Sequence, residues 1–284
     1  MPKQEQAIQT TIEGTMVTPL WARATYSQLY PEILNDRQAI ALIEQVKTDY
    51  PEATAEFAVL EKLVDELMGL NFLIRAKMFD NAVTNFIESH PEATIVNLGC
   101  GLDTTFSRVD NGKIKWYDLD LPEAIEYRKK LIPESSRSKC LAKDVFDLSW
   151  FNDIDFDVEK GIFLFAAGLF NYFQEEKIAD LCSAMAERFP NGELMFDIPS
   201  SLGNRIMNRR LKKLGVTGIT FYFGLNNPGR QITKWSEKIQ LINWFSLFSK
   251  VVRNKKWKLY TRLQMNISDI FKIGKYVHLR FKKY

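Results

Sequence analysis

The stretch 93–120, ATIVNLGCGLDTTFSRVDNGKIKWYDLD, limits the possible folds more than any other part of this chain. Ile95, Val96 and Leu98 run directly into Gly99-Cys100-Gly101, the pattern of a buried strand (94–98) ending in a sharp turn where a ligand can touch bare backbone. A short helical segment and a second strand (115–119) follow, closing on Asp120. That acid stands about twenty residues past the first glycine, where the second strand of a nucleotide-binding α/β unit ends and a carboxylate can accept both ribose hydroxyls.

The dinucleotide fingerprint G-x-G-x-x-G asks for a third glycine, which lets helix and strand approach closely beside a pyrophosphate. That position is Thr104. The pyrophosphate reading weakens, and what remains is a strand ending in N-L-G-x-G-x-D and a second strand ending in an acid.

The longer strings NLGCGLDTTFSRV, WYDLDLPEAIEYRKKL and AKDVFDLSWF resemble the leucine carboxyl methyltransferase family and its relatives, the tetracenomycin-type polyketide O-methyltransferases. The resemblance runs from about residue 20 to 197. It implies an α/β fold with the Rossmann-like sheet of class I methyltransferases: mostly parallel, with an antiparallel final strand, helices on both faces and an N-terminal helical cap. It also implies S-adenosylmethionine as cofactor.

On that resemblance the cofactor-binding residues are Arg23, Arg75, Asn97, Gly99, Cys100, Gly101, Asp103, Asp120, Leu121, Asp144, Val145 and Ala167. Arg75 is implied to take the carboxylate of the cofactor's methionine end, which suits its planar fork. Asp144 and the Val145 backbone are implied to meet the adenine. The sequence around Arg23-Ala24 and Ile33 to Ala39 resembles the family's R-A…D-x-x-A pattern in the cap. Family members often carry a glutamate where this chain has Ala167, so any role of that acid is in doubt. Tyr172 is a candidate to orient a substrate.

With 284 residues and 46% hydrophobic content, the chain can bury a full core, and one domain is expected. Residues 16–90 read as helical cap and lead-in, and 91–284 as α/β core with a basic C-terminal segment. The longest apolar run, 161–170, is about ten residues, half a bilayer span. The polar start MPKQEQAIQTT shows no signal-peptide pattern. Cys100, Cys140 and Cys182 are odd in number and lack metal-site spacing, so a reduced, cytoplasmic protein without a metal is expected.

Along the rest of the chain, the first fifteen residues read as flexible. Asn35-Asp36 reads as a helix cap before the stripe Ala39, Ile40, Leu42, Ile43, Val46. Residues 55–89 read as helical with a break near Gly69. Pro122 opens a helix through 131, and strands are expected at 139–142, 161–166 and 193–198, with helices at 175–189 and 204–214. Phe221 to Phe223 and the run IQLINWFSLF are expected to supply the last strand pair.

From residue 250 on there are eleven Lys/Arg against one acid, Asp269. A solvated basic face is the expected reading, with no membrane partner, no nucleic-acid partner and an undetermined oligomeric state.

Methyl transfer from a sulfonium needs orientation more than acid–base chemistry, and a base only for an acceptor of high pKa. The chain has two histidines, His90 and His278, neither at a strand's C-terminal end. The expected activity is therefore methylation of a small-molecule carboxylate or phenolic hydroxyl, with an anionic acceptor favoured. The alternatives are a non-catalytic SAM-binding or RNA-associated regulatory protein and an NAD(P)-dependent oxidoreductase.

Overall fold

The computed structural model describes residues 8–9, 12–49, 53–213 and 216–283. It opens with β1 (Ile8–Gln9) and four helices, α1 (Ile12–Leu29), α2 (Arg37–Asp49), α3 (Ala53–Leu63) and α4 (Glu66–Ser89). The alternating part follows as β2 (Thr94–Leu98), α5 (Thr105–Val109), β3 (Lys115–Asp120), α6 (Pro122–Leu131), β4 (Ser138–Ala142), β5 (Ile162–Ala166), α7 (Glu175–Arg188) and β6 (Glu193–Pro199). The last third holds α8 (Ser201–Lys213), β7 (Val216–Thr217), α9 (Pro228–Gln231), β8 (Ile239–Ser246), α10 (Leu259–Ile270) and β9 (Gly274–Phe281).

Seven strands form one sheet in the order β4-β3-β2-β5-β6-β9-β8. The ladders from β4 to β6 are parallel, and β9 enters antiparallel between β6 and β8. Every residue of β2 and β5 is buried, as expected of strands covered on both faces. One face packs α7 through Ile178, Leu181 and Met185; the other packs α4 through Phe79, Val83 and Phe86. A third cluster ties α1 to α4 together and reaches Leu102 after the glycine turn and Met265 of α10. Among the described residues β1 pairs only with β7, in a separate two-stranded ladder.

Several expectations are corrected. The start is structured from Ile8, although residues 1–7, 10 and 11 lie outside the described residues. The helical break falls at Val64-Asp65, where the Asp65 carboxylate accepts the Met68 N–H and starts α4. Gly69 sits inside α4 because Tyr26 of α1 lies against it: an added Cβ would come within 2.1 Å of the ring.

Phe221 to Phe223 form no strand, because other groups take their backbone polar atoms. Asn208 bonds both the N–H and the carbonyl of Phe221, Asn204 donates to the Phe223 carbonyl at 2.7 Å, and the Tyr222 N–H donates to the Asn171 carbonyl. The strand that pairs with β8 is β9, drawn from the segment read as a basic tail. Its charges are accommodated one by one: Arg280 and His278 meet Glu193, and the buried Lys275 donates to the Leu225 and Lys272 carbonyls. Of the helix expected at 204–214, position 214 lies outside the described residues, and α8 begins three residues earlier, at Ser201.

Candidate active site

The strand order reverses at β2, which has β3 on one side and β5 on the other. In an open parallel sheet the crevice at that switch point, beyond the carboxyl ends of the strands, is where ligands bind. Gly99 (φ +65°), Gly101 (φ +46°) and Gly168 (φ +73°) lie at these ends in backbone conformations that disfavour side chains.

Asp120 and the glycine turn are joined directly. The Gly101 N–H donates to Asp120 Oδ2 at 2.7 Å and the Leu121 N–H to Oδ1 at 2.8 Å. Burial pushes this carboxyl up, while the two N–H groups partly offset the effect. Both oxygens keep lone pairs for further donors. The Lys143 N–H donates to the Asp120 carbonyl, which brings Asp144 and Val145 beside the end of β3. Asp144 is exposed and accepts the Phe146 N–H, and Val145 is buried with its carbonyl bonded to Trp150 Nε1.

The turn is braced by Arg128 and Asp118, which sequence reasoning missed, together with Asn97 and Asp103, which it named. Arg128 of α6 donates to the carbonyls of Gly101 and Asp103 at 2.9 and 2.8 Å, and to buried Asp118 at 2.7 Å. Asn97 donates to Asp118, and Asp103 accepts the Thr105 N–H. Cys100 is buried and its thiol is pushed well up by burial, as expected of a packing residue.

Above the turn sits a buried ionic cluster centred on Asp36. Its Oδ2 accepts from Arg23 Nε at 3.1 Å, Thr104 Oγ at 2.6 Å and Arg108 Nη1 at 2.8 Å. Burial pushes Asp36 up, but the guanidiniums of Arg108 and Arg23 and the Thr104 hydroxyl more than offset this and hold it below the usual range. Arg108 also grips Asp80 of α4 with two bonds of 2.7 and 2.8 Å, and Arg23 reaches the Leu102 carbonyl at 2.7 Å. The D-T-T-F-S-R string thus clamps α1, α2 and α4 onto the glycine turn. Arg23 is buried and turned into this clamp.

A second group of polar residues meets at the β5–β6 end. The Gly168 N–H donates to Asp197 Oδ1 at 2.6 Å, and Arg75 Nη1 stands 3.7 Å from Asp197 Oδ2. Arg75 also lies over the Phe72 ring and close against Gly168, where an added Cβ would be 2.4 Å from Nη1. Burial pushes Asp197 up although Arg75 pulls it down, and burial likewise raises the half-buried Tyr172 hydroxyl. Nothing in the sequence marked Asp197. Ala167, directly after β5, is half-buried, and Leu169 lies against Gly99 while Met16 lies against Gly101.

The histidines stand elsewhere: His90 stacks on Phe86 at 4.3 Å and His278 bonds Glu193 at 2.8 Å. Among the described residues no group of three His, Cys, Asp or Glu is arranged to hold a metal. A cleft of about 370 Å³ lined by residues such as Lys77, Lys250 and Trp257 contains none of the glycine-turn residues.

The sequence profile of the leucine carboxyl methyltransferase family matches residues 15–186. The chain is 27% identical over 222 residues to the tetracenomycin polyketide synthesis O-methyltransferase TcmP of Streptomyces glaucescens, covering 77% of each. Two solved structures share the fold at 12% identity. One, from Thermobifida fusca YX and described as a candidate methyltransferase, has a TM-score of 0.57 over 92% of this chain and 94% of its own. The other, a DUF574 family protein from Streptomyces avermitilis MA-4680, has a TM-score of 0.56 over 92% and 97%. The sheet is that of class I methyltransferases, and the profile covers more than half of the chain. This chain belongs to the leucine carboxyl methyltransferase family and is a methyltransferase that uses S-adenosylmethionine.

Proposed function

We propose that this protein transfers the methyl group to an oxygen of a small-molecule carboxylate or phenol. The observation that carries the reading is the joining of the Gly101 N–H to Asp120 at 2.7 Å. It leaves a carboxylate with spare lone pairs next to left-handed glycine backbone, a donor set that fits a ribose diol and an adenosyl group. Thr104 speaks against a pyrophosphate, because its hydroxyl is spent on Asp36 where a dinucleotide site needs bare backbone.

When bound, S-adenosylmethionine supplies an electrophilic methyl on sulfonium. In this reading Asp120 and Leu121 hold the ribose, Asp144 and Val145 the adenine, and Arg75 the amino-acid carboxylate. Asn97, Gly99, Cys100, Gly101 and Asp103 shape the turn, and Arg23 braces it from the cap. Asp197 keeps Arg75 and the Gly168 backbone aligned, compensating for the acid missing at Ala167. Met16 and Leu169 exclude water above the turn, and Tyr172 orients the acceptor.

Both histidines are remote, and Ala167 stands where relatives often carry a glutamate, which favours an acceptor already ionised, a carboxylate or acidic phenol, over an alcohol. The small-molecule class is supported by the name of the Streptomyces relative, an O-methyltransferase of polyketide synthesis. The reading is tested by incubating the protein with methyl-labelled cofactor and matched panels of carboxylates, phenols, amines and alcohols. O-methyl esters or ethers are expected, and transfer confined to amines would overturn it. Asp120→Ala should lower cofactor affinity at least about tenfold in calorimetry with folding intact, given the two ribose hydrogen bonds lost.

A further inference from the structure

The outer face of α10 is apolar. Leu259, Tyr260, Leu263, Ile267, Ile270 and the following Phe271 are between 42% and 74% exposed. At 3.6 residues per turn they fall within an arc of about 120°. Thr261, Met265 and Ser268, the buried residues of α10, lie on the opposite side. The helix therefore faces inward with a narrow, half-polar seam and outward with its apolar side, the reverse of a solvent-facing helix. Single exposed apolar residues are ordinary, but a contiguous stripe marks an interaction surface. Val252, in the loop leading to α10, is 89% exposed.

The rim of this stripe is mostly basic: among the described residues, the acids that touch it from other elements are Glu66, engaged by the Lys258 N–H and the Thr261 hydroxyl, and Glu32, engaged by Asn254. Lys255, Lys256 and Lys258 precede it and Lys272 follows it, all exposed. Asp269, the single acid after residue 250, is turned to Arg253 at 2.7 Å and to the Phe248 N–H at 3.0 Å. α8 adds more of the same composition. Gly203 packs on the Ile273 carbonyl, which an added Cβ would approach to 2.3 Å, so the start of α8 adjoins the segment after α10. Leu202, Ile206, Arg205, Arg209 and Lys212 of α8 are exposed. A solvated basic face, the reading of charge count alone, accounts for the lysines and leaves the apolar stripe unexplained.

Two copies docked face to face would set these lysines against one another. An anionic lipid surface takes both features at once: the apolar side chains enter the headgroup boundary and the lysines meet the lipid charges. We propose that α10, with the exposed edge of α8, docks this protein on a membrane rich in anionic lipid. It lies on that surface: among the described residues no helix is long and apolar enough to cross a membrane. The Gly274–Pro199 pairing puts the Phe271 end of the stripe at the carboxyl end of β6, on the side of the sheet where the crevice opens. The inference stands apart from the acceptor chemistry.

The test is co-sedimentation of the full chain with vesicles of phosphatidylcholine alone and of phosphatidylcholine with phosphatidylglycerol. Binding to the anionic vesicles that weakens as salt rises is expected, with little binding to the neutral ones. The double change Leu263→Glu and Ile270→Glu, both at exposed positions, should cut binding about tenfold or more while leaving the melting temperature unchanged. Lys255→Glu with Lys256→Glu should cut it and flatten the salt dependence. Absence of binding to anionic vesicles at low salt, or binding that Leu263→Glu/Ile270→Glu leaves untouched, would overturn the proposal. So would a dimer in sedimentation velocity that this pair splits, which would make a second copy the occupant.

Discussion

Arg128 shows how much of the site rests on single buried charges. Its guanidinium joins Asp118 to two carbonyls of the glycine turn, and burial, the largest influence on Asp118, pushes that acid up against the pull of Arg128. Removing one partner strands the other in a dry interior, which costs about 3–5 kcal/mol. Urea unfolding of Arg128→Met should show a loss of that size, and adding Asp118→Asn should recover part of it. Asp120 was legible because a glycine turn followed at fixed spacing by an acid has a geometric cause. Arg128 was not, since in EYRKKL it reads as one more cation on a solvated helix. Asp197 was hidden for another reason: one acid in an apolar strand gives no periodic signal, and only the fold sets Gly168 and Arg75 beside it.

At the scale of elements, the parallel strands could be read off because burial on both faces forces continuous apolar runs, as in IFLFA of β5. The helical cap is readable in outline, but Gly69 reads as a breaker in sequence, whereas the structure gives the Tyr26 ring beside it as its cause. Gly69→Ala should cost about 1–3 kcal/mol through the clash with Tyr26, and much less on a Tyr26→Ala background. Thermal melts of the three variants would measure this. β9 gives no strand signal in sequence because Lys275, His278 and Arg280 interrupt the apolar residues Tyr276, Val277, Leu279 and Phe281, all of them buried. Each of these charges finds a specific partner, and partners do not appear in a charge count.

For the molecule as a whole, the buried lysine of β9 gives stability a pH dependence that can be measured. Burial, with Lys272 nearby, lowers Lys275 from 10.5 to about 8. Between those values the unfolded chain holds a proton that the folded chain lacks, so this group makes stability rise with pH across that window. The buried thiols of Cys100 and Cys182, pushed up by burial, act in the opposite sense. The difference between wild type and Lys275→Met isolates the lysine: denaturant midpoints should shift in favour of wild type as pH rises from 8 to 10.5.

β9 follows β8 in sequence, yet it fills an interior place, between β6 and β8. On the ribosome, β6 therefore keeps a raw margin and β8 has nothing to zip onto until residues 274–281 emerge from the exit tunnel. A stalled product lacking that piece would carry unpaired backbone on two strands at once, which invites aggregation. Quality control of nascent protein has most to act on in the interval before that piece emerges.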